Sequence, residues 1–276
     1  MSQVLPSRYI HGNDPVEQER RIRLNQWINP TCLHRLHLLG GERVLAVGSG
    51  LGLFARQMAR ATGGRRVVCV ERDEAQIYRC LEMAETAGEA ALLDVRQDDV
   101  GDLPLVDDEW GAFDVVHCRF VLEHVDEPQA LVQSLARTLR AGGRMILAAD
   151  DHDVLRLWPP MPAFDELWRA LIHAFSDLGH DPFVGRKLVA MMRVADLEQV
   201  QSAGLFFGGC AGSDQWDLVV DNFVDVLAGA RSAILATSAI PVDVFDEVIE
   251  GLQAWRQRSD SALWYQICWA EAVRSI

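Results

Sequence analysis

A chain of 276 residues that is 49% hydrophobic and 24% charged can bury one large core. Its formal net charge of −14 opposes binding to phosphate backbones and anionic lipid, which leaves a small-molecule substrate as the expected partner, with no nucleic acid and no membrane. Six scattered cysteines without a Cys-x-x-Cys pair indicate neither a metal site nor a disulfide framework, and fit reduced thiols in a cytoplasmic protein.

The opening "MSQVLPSRYIHGNDPVEQERR" is polar and lacks the apolar stretch of a secretory signal. Residues 14 to about 37 read as a helix: Asp14 suits the N-cap, Pro15 the first turn, and Glu17 and Glu19 lie toward the positive end of the helix dipole. From residue 42 short apolar runs alternate with longer amphipathic segments, the pattern of a parallel sheet covered by helices. "RVLAVG", "RRVVCVE", "AALLDVRQ", "FDVVHCRF" and "RMILAAD" read as strands. "GLFARQMARAT", "DEAQIYRCLEMAETAG" and "EPQALVQSLARTLRAGG" read as the helices between them, the last ended by glycine. Leu131, Leu135 and Leu139 repeat at i, i+4, i+8 and form a core stripe on that last helix.

After Asp151 the sequence turns helical and aromatic, "WPPMPAFDELWRALIHAFSDLGHDPFVGRKLVAMMRVA", and is followed by a strand around "EQVQSAGLFFGG". A second helical stretch covers about 214 to 258, and "ALWYQICWAEAVR" closes the chain as a seventh strand. No Gly/Ser linker or repeat separates these pieces, so one domain is expected, with helical insertions near the carboxyl ends of its strands, the edge where open α/β sheets bind ligands.

"VLAVGSGLG" carries strand into helix through Gly48, Gly50 and Gly52, which lets the backbone approach a ligand beside the unpaired N–H groups of a helix start. The spacing is Gly-x-Gly-x-Gly, whereas a dinucleotide fingerprint asks for Gly-x-Gly-x-x-Gly. Glu71 ends the second strand about 20 residues further on, where an acid can accept from two ribose hydroxyls.

With these residues in view, the chain resembles the class I S-adenosylmethionine-dependent methyltransferases, in particular bacterial small-molecule enzymes of the ubiquinone/menaquinone type. "VLAVGSGLG", "VVCVERD", "VRQDDVGDLPL", "FDVVHCRFVLEHVDEP" and "LRAGGRMILAADDH" carry the resemblance, five motifs in order. It implies a Rossmann-like α/β fold, a seven-stranded mostly parallel sheet with helices on both faces. Within a single domain, 1–276, the implied parts are an N-terminal helical arm (1–40), a cofactor-binding core (41–151), a helical lid insertion (152–197) and C-terminal strands with a helical insertion (198–276).

The resemblance implies S-adenosyl-L-methionine as cofactor. Gly48, Ser49, Gly50 and Gly52 would line its methionine and ribose portion, Glu71 would hold the ribose hydroxyls and Arg72 would border the adenine. Asp99 would accept from the adenine amino group beside the Val100 N–H, with Asp98 the competing carboxylate. Cys118 and Arg119 would meet the methionine part, and "YIHG" resembles a covering arm, making Tyr9 and His11 candidate contacts. The departure is Ala46, where the family usually carries an acid that binds the methionine ammonium.

Methyl transfer needs alignment and exclusion of water above all, with a general base for an oxygen or nitrogen acceptor. His152, just past the fifth strand, is the leading candidate, with Asp150 or Asp151 to orient it, against the alternative that "DDHD" is a solvated loop. His11 is the second catalytic candidate. His124 reads as structural, while His173 and His180 fall in the insertion. Trp158, Phe164, Trp168, Phe175 and Phe183 read as a hydrophobic lid over an organic acceptor, and Arg186 as a partner for an acidic group. The expected reaction is O- or N-methylation, ahead of C-methylation, of a small secondary metabolite. The alternatives are a protein that binds the cofactor while its cavity performs cyclisation or no transfer, and an NAD-dependent oxidoreductase. The protein is expected to be a monomer or a homodimer.

Overall fold

The computed structural model describes residues 10–276. The chain divides into two compact units. The sheet unit comprises Asn25–Asp150, Val184–Leu205 and Ile267–Ile276; of the described residues, the helical unit comprises 10–24, Asp151–Phe183 and Phe206–Gln266.

Helix α1 (Pro15–Leu36) starts where expected. Asp14 caps it, its Oδ1 accepting from the N–H groups of Val16 (2.8 Å) and Glu17 (3.0 Å). The sheet unit then runs β1 (Val44–Val47), α2 (Leu53–Ala61), β2 (Val67–Glu71), α3 (Glu74–Thr86), β3 (Leu93–Gln97), β4 (Phe113–Arg119), α4 (Pro128–Thr138) and β5 (Leu139–Ala149). Its strands lie in the order β3-β2-β1-β4-β5 and all pair in parallel. The chain's last strand, here called β8 (Ala262–Arg274), adds antiparallel to β5, from Arg144 opposite Val273 to Ala149 opposite Cys268. Strands β1 and β2 are buried along their whole length, which is why they read as unbroken apolar runs.

The helix before β5 ends earlier than its sequence suggests. Thr138 closes α4, its hydroxyl donating to the Leu135 carbonyl at 2.8 Å, and Leu139 already has extended backbone. Leu139 is therefore core through a strand rather than through a helix stripe, while Leu131 and Leu135 keep the helical role. Gly142 and Gly143 consequently lie inside β5, and a Cβ on Gly143 would come within 2.8 Å of the Phe113 carbonyl oxygen.

The helical unit contains β6 (Arg156–Trp158), α5 (Pro162–Asp177), α7 (Trp216–Gly229), α8 (Arg231–Ala236) and α9 (Val242–Arg256). The sheet unit holds α6 (Leu188–Val194), and β7 (Leu197–Cys210) begins there. Strand β6 pairs antiparallel with the amino-terminal part of β8, Arg156 opposite Trp264 through Trp158 opposite Ala262. It raises the expected seven strands to eight among the described residues. Three residues are too few to show a period of two, so the sequence concealed it. Among the described residues no helix is long and apolar enough to cross a membrane.

Candidate active site

The glycine turn joins β1 to α2. Ser49 N–H donates to the Val70 carbonyl (3.1 Å) and Gly52 N–H to the Ser49 carbonyl (3.0 Å), folding the turn onto β2. Gly48, Gly50 and Gly52 have φ of 63°, 54° and 67°, the left-handed region. A Cβ on Gly48 would lie 2.1 Å from Val121 Cγ2, and one on Gly52 2.3 Å from Cys80 Sγ. The turn thus needs glycine on both conformational and packing grounds.

Glu71 clips this turn to the end of β2. One carboxylate oxygen accepts from Gly50 N–H at 2.8 Å, and the other from the N–H groups of Arg72 and Asp73, each at 3.0 Å. Burial pushes the Glu71 pKa up, partly countered by these three donors. A carboxylate offers about four acceptor sites, so three backbone donors leave room for a further hydroxyl. Asp98 N–H donates to the Glu71 carbonyl at 3.2 Å, which brings the end of β3 alongside. Asp98 and Asp99 are both exposed and Val100 is buried. The Asp98 carboxylate accepts from Asp99 N–H (2.8 Å) and that of Asp99 from Gly101 N–H (3.3 Å), so local geometry does not choose between them.

At the end of β4, Cys118 is fully buried between Val47 and Leu147, and burial raises its thiol pKa far above the ordinary value. Arg119 is buried as well. Its guanidinium donates to Asn25 Oδ1 (2.7 Å), Asn29 Oδ1 (2.8 Å) and Cys32 Sγ (3.3 Å), and lies 4.7 Å from the ring centre of Phe54 and 5.6 Å from that of Phe120. Sequence reasoning missed the α1 side of this arrangement. The signal was the i, i+4, i+7 spacing of Asn25, Asn29 and Cys32, one polar face of a helix. It also missed His117, which is buried, stands in register with Ala46 and packs on Phe54 at 4.9 Å between ring centres.

The two histidines proposed for catalysis come together in the helical unit, around Phe175. His11 lies 5.9 Å from the Phe175 ring and His152 4.8 Å. The start of α1 is secured to α7 there: the Glu17 carboxylate holds Arg20 and Arg21, Arg20 reaches Asn222 at 2.8 Å, and Arg23 pairs with Asp225 at 2.7 Å. His11 Nδ1 lies 3.1 Å from the Val226 carbonyl oxygen. A carbonyl only accepts, so Nδ1 carries the proton and Nε2 the lone pair. Desolvation of the ring, reinforced by Arg20, Arg21 and His152, pushes the His11 pKa well below the ordinary imidazole value.

His152 is buried, which removes the solvated-loop alternative. Its N–H donates to the Pro182 carbonyl (3.0 Å), its carbonyl accepts from Trp168 Nε1 (2.7 Å), and its Nδ1 lies 3.5 Å from the Tyr265 hydroxyl. Asp151 caps the short turn that carries His152 by accepting from Asp153 N–H at 3.2 Å. Phe164 and Trp168 stack at 5.9 Å and are buried with Phe175, whereas Trp158 is exposed. His180 packs on Phe175 at 6.0 Å, His173 and Arg186 are exposed, and His124 closes a short turn after β4. Tyr9 lies outside the described residues. Among the described residues no group of three or more His, Cys, Asp or Glu could hold a metal ion.

The methyltransferase-domain family matches residues 45–147, from β1 through most of β5. The ubiquinone biosynthesis O-methyltransferase of Xanthomonas oryzae pv. oryzae is 35% identical over 174 residues, 61% of this chain and 68% of its own length. The chain belongs to the class I S-adenosylmethionine-dependent methyltransferases. The enzyme of the same name from Ralstonia nicotianae is 26% identical to this methyltransferase over 218 residues, 79% of this chain and 85% of its own. The fold of the methyltransferase also matches Haemonchus contortus phosphoethanolamine N-methyltransferase 2 in complex with S-adenosyl-L-methionine, with a TM-score of 0.56 at 17% identity. That match covers 91% of this chain and 53%, about half, of the other. The cofactor of the methyltransferase is S-adenosylmethionine. The glycine turn that no Cβ fits, the remaining acceptor capacity of Glu71 and the enclosed Nε2 of His117 are features that suit it.

Proposed function

We propose that this methyltransferase methylates an oxygen or nitrogen of a small aromatic or lipophilic metabolite, with His11 as general base. The observation that carries this reading is the hydrogen bond from His11 Nδ1 to the Val226 carbonyl, which fixes a tautomer whose Nε2 can take a proton. The lowered pKa keeps the ring unprotonated at physiological pH, so Nε2 is open to the acceptor's proton, although as a weaker base than an ordinary imidazole. His152, held by Pro182 and Trp168 and beside Tyr265, serves to orient the acceptor. The buried aromatic set of Phe164, Trp168, Phe175 and Phe223 favours a lipophilic acceptor, and the net charge of −14 disfavours nucleic acid. The printed names of the curated relatives, O-methyltransferases of ubiquinone biosynthesis, support oxygen.

For the cofactor, we assign Gly48, Ser49, Gly50 and Gly52 to the methionine and ribose portion and Glu71 to the ribose. Arg72, Asp98 or Asp99, and Val100 go to the adenine, and Cys118 and Arg119 to the methionine end. When bound, S-adenosylmethionine supplies an activated methyl carbon. The chain's residues position the acceptor, exclude water and receive the acceptor's proton at His11 Nε2.

The test incubates the protein with methyl-labelled cofactor and, separately, panels of phenols, amines, RNA, DNA and protein. Label in a phenol or amine supports the proposal. Label only in a macromolecule overturns the acceptor class, and no label leaving the cofactor with any acceptor favours a binding protein whose cavity performs cyclisation or no chemistry.

A further inference from the structure

Ala46 and His117 are partners on adjacent parallel strands, so their side chains leave the sheet on one face, and Arg119, two residues on, shares it. Phe54, in the first turn of α2 beyond the glycine turn, packs on both His117 and Arg119. This face borders the cofactor turn and holds an uneven set of charges. Ala46 contributes none, and Arg119 is a buried cation whose hydrogen-bond partners among the described residues, Asn25, Asn29 and Cys32, are all neutral. Burial raises the Cys32 pKa, so its thiol supplies no counter-charge. A guanidinium enclosed without an anion is costly, and that cost falls when a carboxylate arrives.

His117 supplies the complement. Its Nε2 is enclosed and has no hydrogen-bond partner among the described residues. Burial, followed by the positive charge of Arg119, pushes its pKa well below the usual imidazole value, so the ring is neutral, and in the tautomer protonated at Nδ1 its Nε2 is an acceptor. Among the described residues, a cation with no anionic partner and a neutral ring nitrogen with no hydrogen-bond partner, two residues apart on one strand, match the two ends of an amino-acid zwitterion.

We propose that the methyltransferase grips the amino-acid end of S-adenosylmethionine chiefly through its carboxylate, held by Arg119, with His117 accepting from the ammonium. This rests on the assignment of the methionine end to the β4 terminus. It makes the carboxylate the dominant determinant of affinity at this end of the cofactor.

Calorimetric titration of the full chain with S-adenosylhomocysteine, its decarboxylated analogue, its deaminated analogue and adenosine tests this without turnover. Loss of the carboxylate is expected to weaken binding by about 30-fold or more, the range of a charge-assisted hydrogen-bonded pair, and loss of the ammonium by under about tenfold. In Arg119→Gln, S-adenosylhomocysteine and its decarboxylated analogue bind within about threefold of each other, while adenosine binds as before. In His117→Phe, only the compounds that carry the ammonium weaken. The unmodified chain alone is decisive should a variant fail to fold. A decarboxylated analogue as tight as the parent, or a deaminated one that is the weaker of the two, overturns the proposal while leaving the cofactor site standing. Absence of S-adenosylhomocysteine binding overturns the site assignment itself.

Discussion

The Gly50 amide donates to the Glu71 carboxylate at 2.8 Å across 21 positions of sequence, so the shape of the cofactor turn depends on an acid at the end of the neighbouring strand. Glu71→Ala removes the acceptor from three backbone N–H groups and is expected to cost about 3 kcal/mol of stability, with Glu71→Gln costing about 1 kcal/mol. Because burial raises its folded pKa above the unfolded value, Glu71 contributes most below about pH 4.5. That contribution falls as pH rises through the folded value. Glu71→Gln should flatten this part of the stability profile, measured by urea unfolding from pH 4.5 to 7.5.

The glycine positions separate packing from backbone strain. Gly48→Ala meets Val121 and also forces alanine to a φ of 63°, for a combined cost of about 3 kcal/mol. Gly63→Ala, with φ 80° and nothing within 4 Å of its Cβ, should cost about 1 kcal/mol. Thermal unfolding ranks the two, and only Gly48→Ala should also weaken S-adenosylhomocysteine binding, by at least about tenfold.

His117 makes the sheet unit sensitive to acid. Its folded pKa lies well below the unfolded 6.5, so the unfolded chain takes up a proton that the native ring refuses. Stability is complete above about pH 6.5 and falls below it at up to about 1.4 kcal/mol per pH unit from this one group, until the native ring itself is protonated. His117→Phe should remove that share of the slope in chemical denaturation between pH 5 and 6.5. An unchanged slope would assign the acid sensitivity elsewhere.

His11→Gln keeps a polar side chain and loses the titrating base. A fall in kcat of about 100-fold or more, at little change in cofactor affinity, is expected. In the unsubstituted enzyme kcat/KM should hold its plateau below pH 6.5, because the ring resists protonation. A wild-type acid limb centred on 6.5 would count against His11 as the base.

Much of the fold was legible because long, buried, parallel strands and amphipathic helices repeat with periods that sequence displays, from Asp14 at the start of α1 to β8. The glycine turn and Glu71 were legible for the same reason, since a φ of 54–67° and a strand-end acid leave residue-type signatures. What escaped depended on distance in sequence. Asn25 and Asn29 meet Arg119 from 94 and 90 positions away, and nothing in either segment names the other. His152 stood in an acidic stretch that reads as surface, and only the arrival of Trp168, Phe175 and Tyr265 makes it interior. Thr138 ended its helix a turn before the glycines because Leu139 was needed opposite Phe113, a demand of the sheet that helix periodicity cannot express.

The three α1 side chains that hold Arg119 also couple the leading helix to whatever Arg119 binds. A ligand that quenches the buried positive charge stabilises these three contacts, and so lowers the frequency with which residues 25–36 open to solvent. Amide exchange in that stretch should therefore slow on saturation with a carboxylate-bearing nucleoside far more than with adenosine. A helix that never needs to touch the ligand would then report its presence.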